Sequence, residues 1–294
     1  MTTRPLTILI NGRSGQVAQA LKTRLAHLGE LHVLGRDQLD LTYPERIREV
    51  VRAIAPDVIV NAAAYTAVDQ AEKEEPLALA INGTSPGVLA EEAARLNAPL
   101  IHYSSDYVYD GRKPAPYVET DTACPLSVYG SSKLAGERAI GAVGGAHLIL
   151  RTSWVFSLQG RNFLLTMQRL LQEKPELRIV ADQIGAPTWA GTIADATRHM
   201  IERWRDDQAG EWGTYHLTGL GETSWFGFAE AIGNHLRADG NPSADLEPIA
   251  SSAYPTPAAR PLNSRLDCGR VQAQWHYALP QWQDALAECL AAQH

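Results

Sequence analysis

Tyr129 and Lys133, in the stretch from Val128 to Leu134, place a phenol and an ammonium four residues apart. On a helix, residues at that spacing share one face. Beside a nicotinamide, such a pair can move a proton to or from a carbonyl or alcohol oxygen. Tyr109 and Lys113 repeat the spacing, but Gly111 lies inside that match and Pro114 follows it. Gly is a poor helix residue, and the residue before Pro is pushed out of the α region. The first pair therefore reads as loop. The second follows Cys124-Pro125 in a segment rich in Ser, Ala, Leu, Glu and Arg, with Gly141, Gly144 and Gly145 to stop it. This predicts a helix over Leu126 to Ile140 that aligns Tyr129 with Lys133.

The rest of the first half supplies a frame for that helix. Short apolar runs at Leu6 to Ile10, Leu31 to Leu34, Val58 to Asn61, Leu100 to Ser104 and His147 to Thr152 read as strands. Between them lie helical patterns at Gln16 to Leu28, Pro44 to Ala55, from Asp69, and at Ser85 to Asn97. Thr42 and Glu45 have the spacing of a capping box for the second helix. Alternation of apolar strands with helices predicts an α/β fold, a doubly wound parallel sheet of Rossmann type. The pattern changes near Arg151, which suggests a dinucleotide-binding domain over 1–152. The remainder, 153–294, reads mainly as a smaller, closely packed substrate-binding region, with some segments returning to the first domain. Helices are expected at Asn162 to Glu173, Thr192 to Arg205, Ser224 to Arg237 and Pro280 to Ala292, and a strand at Arg178 to Val180.

The first strand runs straight into Gly12-Arg-Ser-Gly15-Gln16-Val17-Ala18 and then a helix. A glycine turn in that position offers backbone N–H groups and a helix N-terminus to a pyrophosphate. The second strand ends at Gly35-Arg36, where an acid would favour NADH and an arginine can pair with a 2′-phosphate. NADPH is therefore expected ahead of NADH, although a solvated Arg36 is the bland alternative. Asp40 and Leu41 could lie under the adenine. Ala64, Tyr65 and Thr66 follow the third strand, where small neighbours let a flat cofactor approach. The fourth strand ends at Tyr103-Ser104-Ser105-Asp106. Ser105 there would complete a Ser/Tyr/Lys set, in which Lys133 lowers the phenol's pKa and Ser105 bonds the reacting oxygen. His102 reads as a packed core histidine, and Asp69 and Glu72 as capping and surface groups.

Composition narrows the function classes. The 294 residues carry a net charge of −7 without a basic cluster, so neither nucleic acid nor an anionic membrane is an expected partner. Cys124, Cys268 and Cys289 have no metal-type spacing and read as free thiols. With no signal peptide or membrane-length apolar run recognisable, a cytoplasmic protein is expected.

Together these motifs resemble the extended short-chain dehydrogenase/reductase family, and within it the dTDP-4-dehydrorhamnose reductase family. Further carriers are Asn61-Ala-Ala-Ala-Tyr-Thr-Ala-Val-Asp69, Ser104-Ser-Asp-Tyr-Val-Tyr-Asp-Gly111, Arg151-Thr-Ser-Trp154 and the proline-rich run through Arg260, Pro261 and Asn263 to Leu266. The resemblance implies reduction of a nucleotide-sugar 4-ketone by NADPH, the last step of dTDP-rhamnose synthesis, which feeds lipopolysaccharide O-antigen. It makes Tyr129 the proton donor, and Lys133 a holder of the nicotinamide ribose as well. It places Gly15, Gln16, Val17, Asp40, Leu41, Ala64, Tyr65, Thr66 and Tyr103 at the cofactor, and Asp106 and Trp154 at the sugar, though Trp154 could be a core aromatic. Arg260 and Asn263 are candidates for substrate phosphate or sugar, with a bracing role for Arg260 as the alternative. Some relatives form metal-linked dimers through surface Glu residues. Gln19 and Ala20 stand where an acid would be needed, so no metal is expected, and a homodimer is left open. An epimerase or dehydratase of the same superfamily, or a non-catalytic regulatory subunit, are the rival readings.

Overall fold

The computed structural model describes residues 4–292. Five strands of the first half, β1 (Leu6–Asn11), β2 (Gly29–Leu34), β3 (Val58–Asn61), β4 (Leu100–Ser105) and β5 (His147–Thr152), form a parallel sheet. A sixth strand, Gly213–His216, comes from the second half and pairs parallel with β5. The spatial order is Gly213–His216, β5, β4, β3, β1, β2. The chain starts at β1, steps out to β2, then returns to β3 on the other side. Loops leaving β1 and β3 therefore diverge, and a crevice opens at their carboxyl ends. Strands β3 and β4 are buried along their whole length, as sandwiching between two helical layers requires.

One layer contains α1 (Gln16–Arg24) and the helix Ala190–Arg205, packed on Ile8, Ile10, Val58, Val60, Ile101 and Leu150. The other contains α2 (Pro44–Ile54), the short helices α3 (Val68–Ala71) and α4 (Glu75–Leu79), α5 (Ser85–Leu96) and α6 (Val128–Val143). Its core includes Leu9, Ile59, Leu100 and Ile149 from the opposite sheet face. The period-2 alternation of strand side chains divides the two cores.

Three local expectations are corrected. The Thr42/Glu45 capping box does not form: the Thr42 hydroxyl and N–H both donate to Asp40, at 2.7 and 2.9 Å, and Tyr43 is the cap of α2. Helix α1 stops at Arg24 and gives way to a 3₁₀ turn, Ala26–Leu28, with Leu25 and Leu28 buried. Helix α6 begins with Ser127 as cap, accepting from the Gly130 N–H at 3.2 Å, and runs through Gly141. Gly144 stops it, because that residue takes the left-handed conformation (φ 73°) while Gly141 stays helical.

The second half builds a smaller core around Phe156, Leu164, Met167, Phe228, Ile232, Trp282 and Leu286. Its helices are Phe163–Glu173, Trp225–Ala238 and Trp282–Ala291, with a parallel pair of strands, Glu176–Val180 and Asp245–Ile249. Cys124 is exposed, Cys268 and Cys289 are buried, and all three are free. No helix among the described residues is long and apolar enough to cross a membrane.

Candidate active site

A cavity of about 770 Å³ lies at the carboxyl ends of β1, β3 and β4. Its floor is the turn after β1, with Gly12, Gly15, Gln16 and Val17. Gly12 has φ 87°, and a Cβ there would sit 2.9 Å from the Ala62 backbone, so only glycine lets the turn pass under the exit of β3. The N-terminus of α1 has no side-chain cap and no acidic residue in its first turn. Its N–H groups are thus available to an anion. The residues present fit a dinucleotide on this count.

One wall is Arg36, Asp40 and Leu41, and the other is Ala64, Tyr65 and Thr66. Arg36 is exposed and donates to Asp40 at 3.2 Å. Arg13, which the sequence reading passed over, also lines the cavity and pairs with Asp37 at 2.9 Å. Its guanidinium lies against Gly35, where a Cβ would come within 2.9 Å of it. Buried Asn82 holds the Tyr65 loop, accepting from the Tyr65 N–H at 2.8 Å and donating to its carbonyl at 3.0 Å. The same amide donates to Ser132 of α6. Gln16 accepts from Ser157 at 2.9 Å and Asn162 at 2.8 Å, which draws Gly160 and Arg161 over the glycine turn.

Tyr103, Tyr129 and Lys133 line the inner end. Glycine again allows the approach: a Cβ on Gly130 would stand 2.1 Å from the Tyr107 carbonyl oxygen. Glu72 accepts from the Val128 N–H at 2.9 Å and helps cap α6, the capping role read for it. The Ser105 hydroxyl donates to Asp106 at 3.0 Å and also hydrogen-bonds Tyr129. Burial pushes the Tyr129 phenol up to about 12, against the Ser105 bond and with Asp106 adding to the rise. Lys133 is 2 % exposed and donates to the Tyr103 carbonyl at 2.6 Å. Burial pushes its ammonium down to about 8, opposed by Glu137.

In this structure burial holds the phenol above its ordinary value. Tyr129 thus keeps its proton at neutral pH, the form in which it can act as a donor.

The residues expected at the sugar are less uniformly placed. Asp106 is buried beside Ser105; burial pushes its carboxyl up to about 6, and Oδ2 makes no hydrogen bond. Trp154 follows β5 with φ 47°, a left-handed geometry that a bulky residue rarely adopts. Its ring stacks on Trp225 at 3.7 Å and covers Gly185. Arg260 is ion-paired with Asp69 at 2.8 Å, so both the bracing role weighed for the arginine and the surface reading of Asp69 have a definite partner. Asn263 departs from its expected role. Its amide donates to the Lys113 and Ala115 carbonyls and accepts from Arg265, which spends the side chain on holding loops together. The alternative pair also separates as expected: Tyr109 is buried, while Lys113 lies in a loop and pairs with Asp121.

Residues 6–294 match the RmlD substrate binding domain family. The chain is 47% identical to the dTDP-4-dehydrorhamnose reductase of Burkholderia thailandensis, covering 97% of this chain and 98% of that one. It belongs to the dTDP-4-dehydrorhamnose reductase family. The Escherichia coli K12 reductase is 45% identical, with 95% of each chain covered. The structure of the Bacillus anthracis reductase in complex with NADP superposes with a TM-score of 0.90 at 32% identity, covering 98% and 100% of the two chains. UDP-glucose 4-epimerase of Thermus thermophilus, at 16% identity and a TM-score of 0.77, shares the fold.

Two residues of this reductase-family site were missed for physical reasons. Asn82 lies in a π-turn, Ala80–Thr84, that no apolar periodicity announces. Arg13 looked like one of many arginines until β2 brought Gly35 against it. No group of three or more His, Cys, Asp or Glu able to hold a metal occurs among the described residues.

Proposed function

We infer that this protein reduces the C4 ketone of dTDP-4-dehydro-L-rhamnose to give dTDP-L-rhamnose, the last step of dTDP-rhamnose synthesis. One observation carries the reading: Tyr129 shares a cavity with Lys133 and an uncapped glycine turn. It does so in a chain nearly half identical to a reductase of that name over almost its whole length.

The glycine turn and the α1 N-terminus would hold the pyrophosphate, and Lys133 and Tyr103 flank the place for the nicotinamide end. NADPH, when bound, supplies the hydride for C4. Tyr129 donates its proton to the C4 oxygen as charge develops there, and Ser105 turns its hydrogen from Asp106 towards the same oxygen. Lys133, as a cation, stabilises the phenolate left behind. Ser105, Asp106 and Trp154 would bind the sugar, with Arg260 near the substrate phosphate or sugar.

The preference for NADPH rests on Arg36, just after β2, and on Arg13, whose guanidinium reaches Gly35 from the turn after β1. Each is exposed; Arg13 is held by Asp37 and the Gln38 side chain, and Arg36 by Asp40, surface contacts of the kind a 2′-phosphate can displace.

The test is an assay of dTDP-4-dehydro-L-rhamnose with NADPH or NADH, following nicotinamide absorbance and identifying the product. Stoichiometric NADPH oxidation with dTDP-L-rhamnose formed is expected. Tyr129→Phe should bind NADPH almost normally and lose at least about 100-fold in kcat. Unchanged turnover in that variant would remove Tyr129 from the reaction.

A further inference from the structure

The sheet face under α6 carries an unusual row. Asn11, Asn61 and His102 sit opposite one another on β1, β3 and β4, and all three are buried to within 2 %. The row one step back on the same face is apolar, with Leu9, Ile59 and Leu100. Polar side chains cost free energy in such a place unless they are paired for a purpose.

His102 joins that row to the active site. Its Nε2 lies 3.3 Å from Lys133 Nζ, and its Nδ1 lies 2.9 Å from the Asn61 amide. Lys133 has a second bond, to the Tyr103 carbonyl at 2.6 Å. An ammonium has three hydrogens and no acceptor. Two are thus directed into the protein, and the third is left for the cavity that Lys133 shares with Tyr129.

Only certain hydrogen arrangements satisfy this chain. If Lys133 is an ammonium, His102 Nε2 must accept from it. The single N–H of the neutral imidazole is then on Nδ1, and Asn61 must present its oxygen. If Lys133 is a neutral amine, the imidazole can carry its hydrogen on Nε2, and Asn61 presents its N–H. Asn61 Oδ1 makes no hydrogen bond when the amide nitrogen faces His102. The two ends of an amide have nearly the same outline, and a flip only exchanges which end is unpaired, so the charge on Lys133 selects the arrangement.

We propose that His102 is a positioning residue for the reaction: as a neutral imidazole held by Asn61, it accepts one hydrogen of Lys133, keeps the side chain charged and aims its remaining N–H into the cavity. This rests on the reductase reading of Tyr129 and Lys133 and adds a residue to it. The titratable groups around Lys133 are His102 and Tyr103 from β4, and Tyr129 and Glu137 from α6. Arg151 of β5 is paired with Glu137, and β3 and β1 present only Asn61 and Asn11, which do not titrate. His102 itself resists protonation, through burial and then the Lys133 charge.

Removing the acceptor should make Lys133 easier to deprotonate. In His102→Leu, kcat/KM should fall about tenfold or more, and its alkaline limb should move to lower pH. His102→Gln, which can offer an amide oxygen in place of Nε2, should recover most of the rate and return the limb. A Leu variant with the wild-type rate and pH profile overturns the proposal, as does equal loss in both variants with the limb unmoved. A direct readout needs only wild-type protein. Nitrogen NMR of histidine-labelled, NADPH-loaded enzyme at neutral pH should show His102 neutral with hydrogen on Nδ1, its signal assigned by its loss in His102→Gln. A cationic ring, or hydrogen on Nε2, overturns the idea even if the Leu variant does not fold. Wild-type protein with no turnover would instead sink the reductase reading, and the NMR result would still decide the hydrogen arrangement.

Discussion

Asp106 is the residue whose chemistry is most at odds with its surroundings. Its carboxyl is buried, one oxygen makes no hydrogen bond, and its pKa is raised to about 6. A carboxyl raised on folding binds more protons in the native state than in the unfolded one. Stability is therefore lost as pH rises from the unfolded value, near ~4, through about 6, and the cost is fully present above that. Asp106→Asn should relieve on the order of 1–3 kcal/mol at pH 8 and little at pH 4. Melting curves at the two pH values should show the Asn variant ahead only at the higher one, while its kcat/KM falls. Strain kept at a functional residue is the physical reason for expecting that exchange. An equal shift at both pH values would mean that packing, not charge, sets the difference.

Among the elements, α6 brings the chemistry together. Its sequence is legible as a helix and its Tyr129–Lys133 alignment follows from the period. Its closeness to the end of β4 depends on Gly130, because any Cβ there would meet the Tyr107 carbonyl oxygen at 2.1 Å. Gly130→Ala should therefore push the first turn outward. Unlike an exposed helical Gly→Ala change, which stabilises, it should cost about 1–3 kcal/mol in denaturant unfolding. It should also lower kcat more than it raises the NADPH KM, since the phenol moves and the glycine turn does not. Stability equal to or above wild type would show that the helix has room to spare.

Across the whole molecule, a buried polar chain fastens the two halves behind the site. Ser104 donates to Glu137, which also takes a paired contact from Arg151, at 2.9 and 2.6 Å. Arg151 donates to the Tyr109 hydroxyl at 2.6 Å, and that hydroxyl meets His216 Nε2 at 2.9 Å. His216 lies on the sixth strand, and its other ring nitrogen reaches the Asp267 carbonyl. Burial first, then the Arg151 charge, push this imidazole down to about 3, so it stays neutral. Breaking a buried pair leaves an uncompensated charge. Glu137→Gln should cost about 3 kcal/mol or more and lower the unfolding midpoint of both halves together. Separate transitions for the two halves would contradict a shared brace.

Local physics was enough to read much of this protein from its sequence. Periodicity distinguishes strand from helix, a glycine turn after a strand marks a pyrophosphate site, and Gly111 with Pro114 rules out the competing Tyr/Lys pair. The five early strands and the glycine turn under the cavity follow from that. Interactions between distant segments had no such signal. Nothing near Gly213 says that it joins β5, nothing near Asn263 says that its amide braces residues 113 and 115, and a strand histidine gives no hint of Lys133 behind it. The direction of the Tyr129 shift belongs to the same class. Spacing sets which charge lies near the phenol, but desolvation depends on everything packed around it, and only the assembled tertiary structure decides which effect is larger.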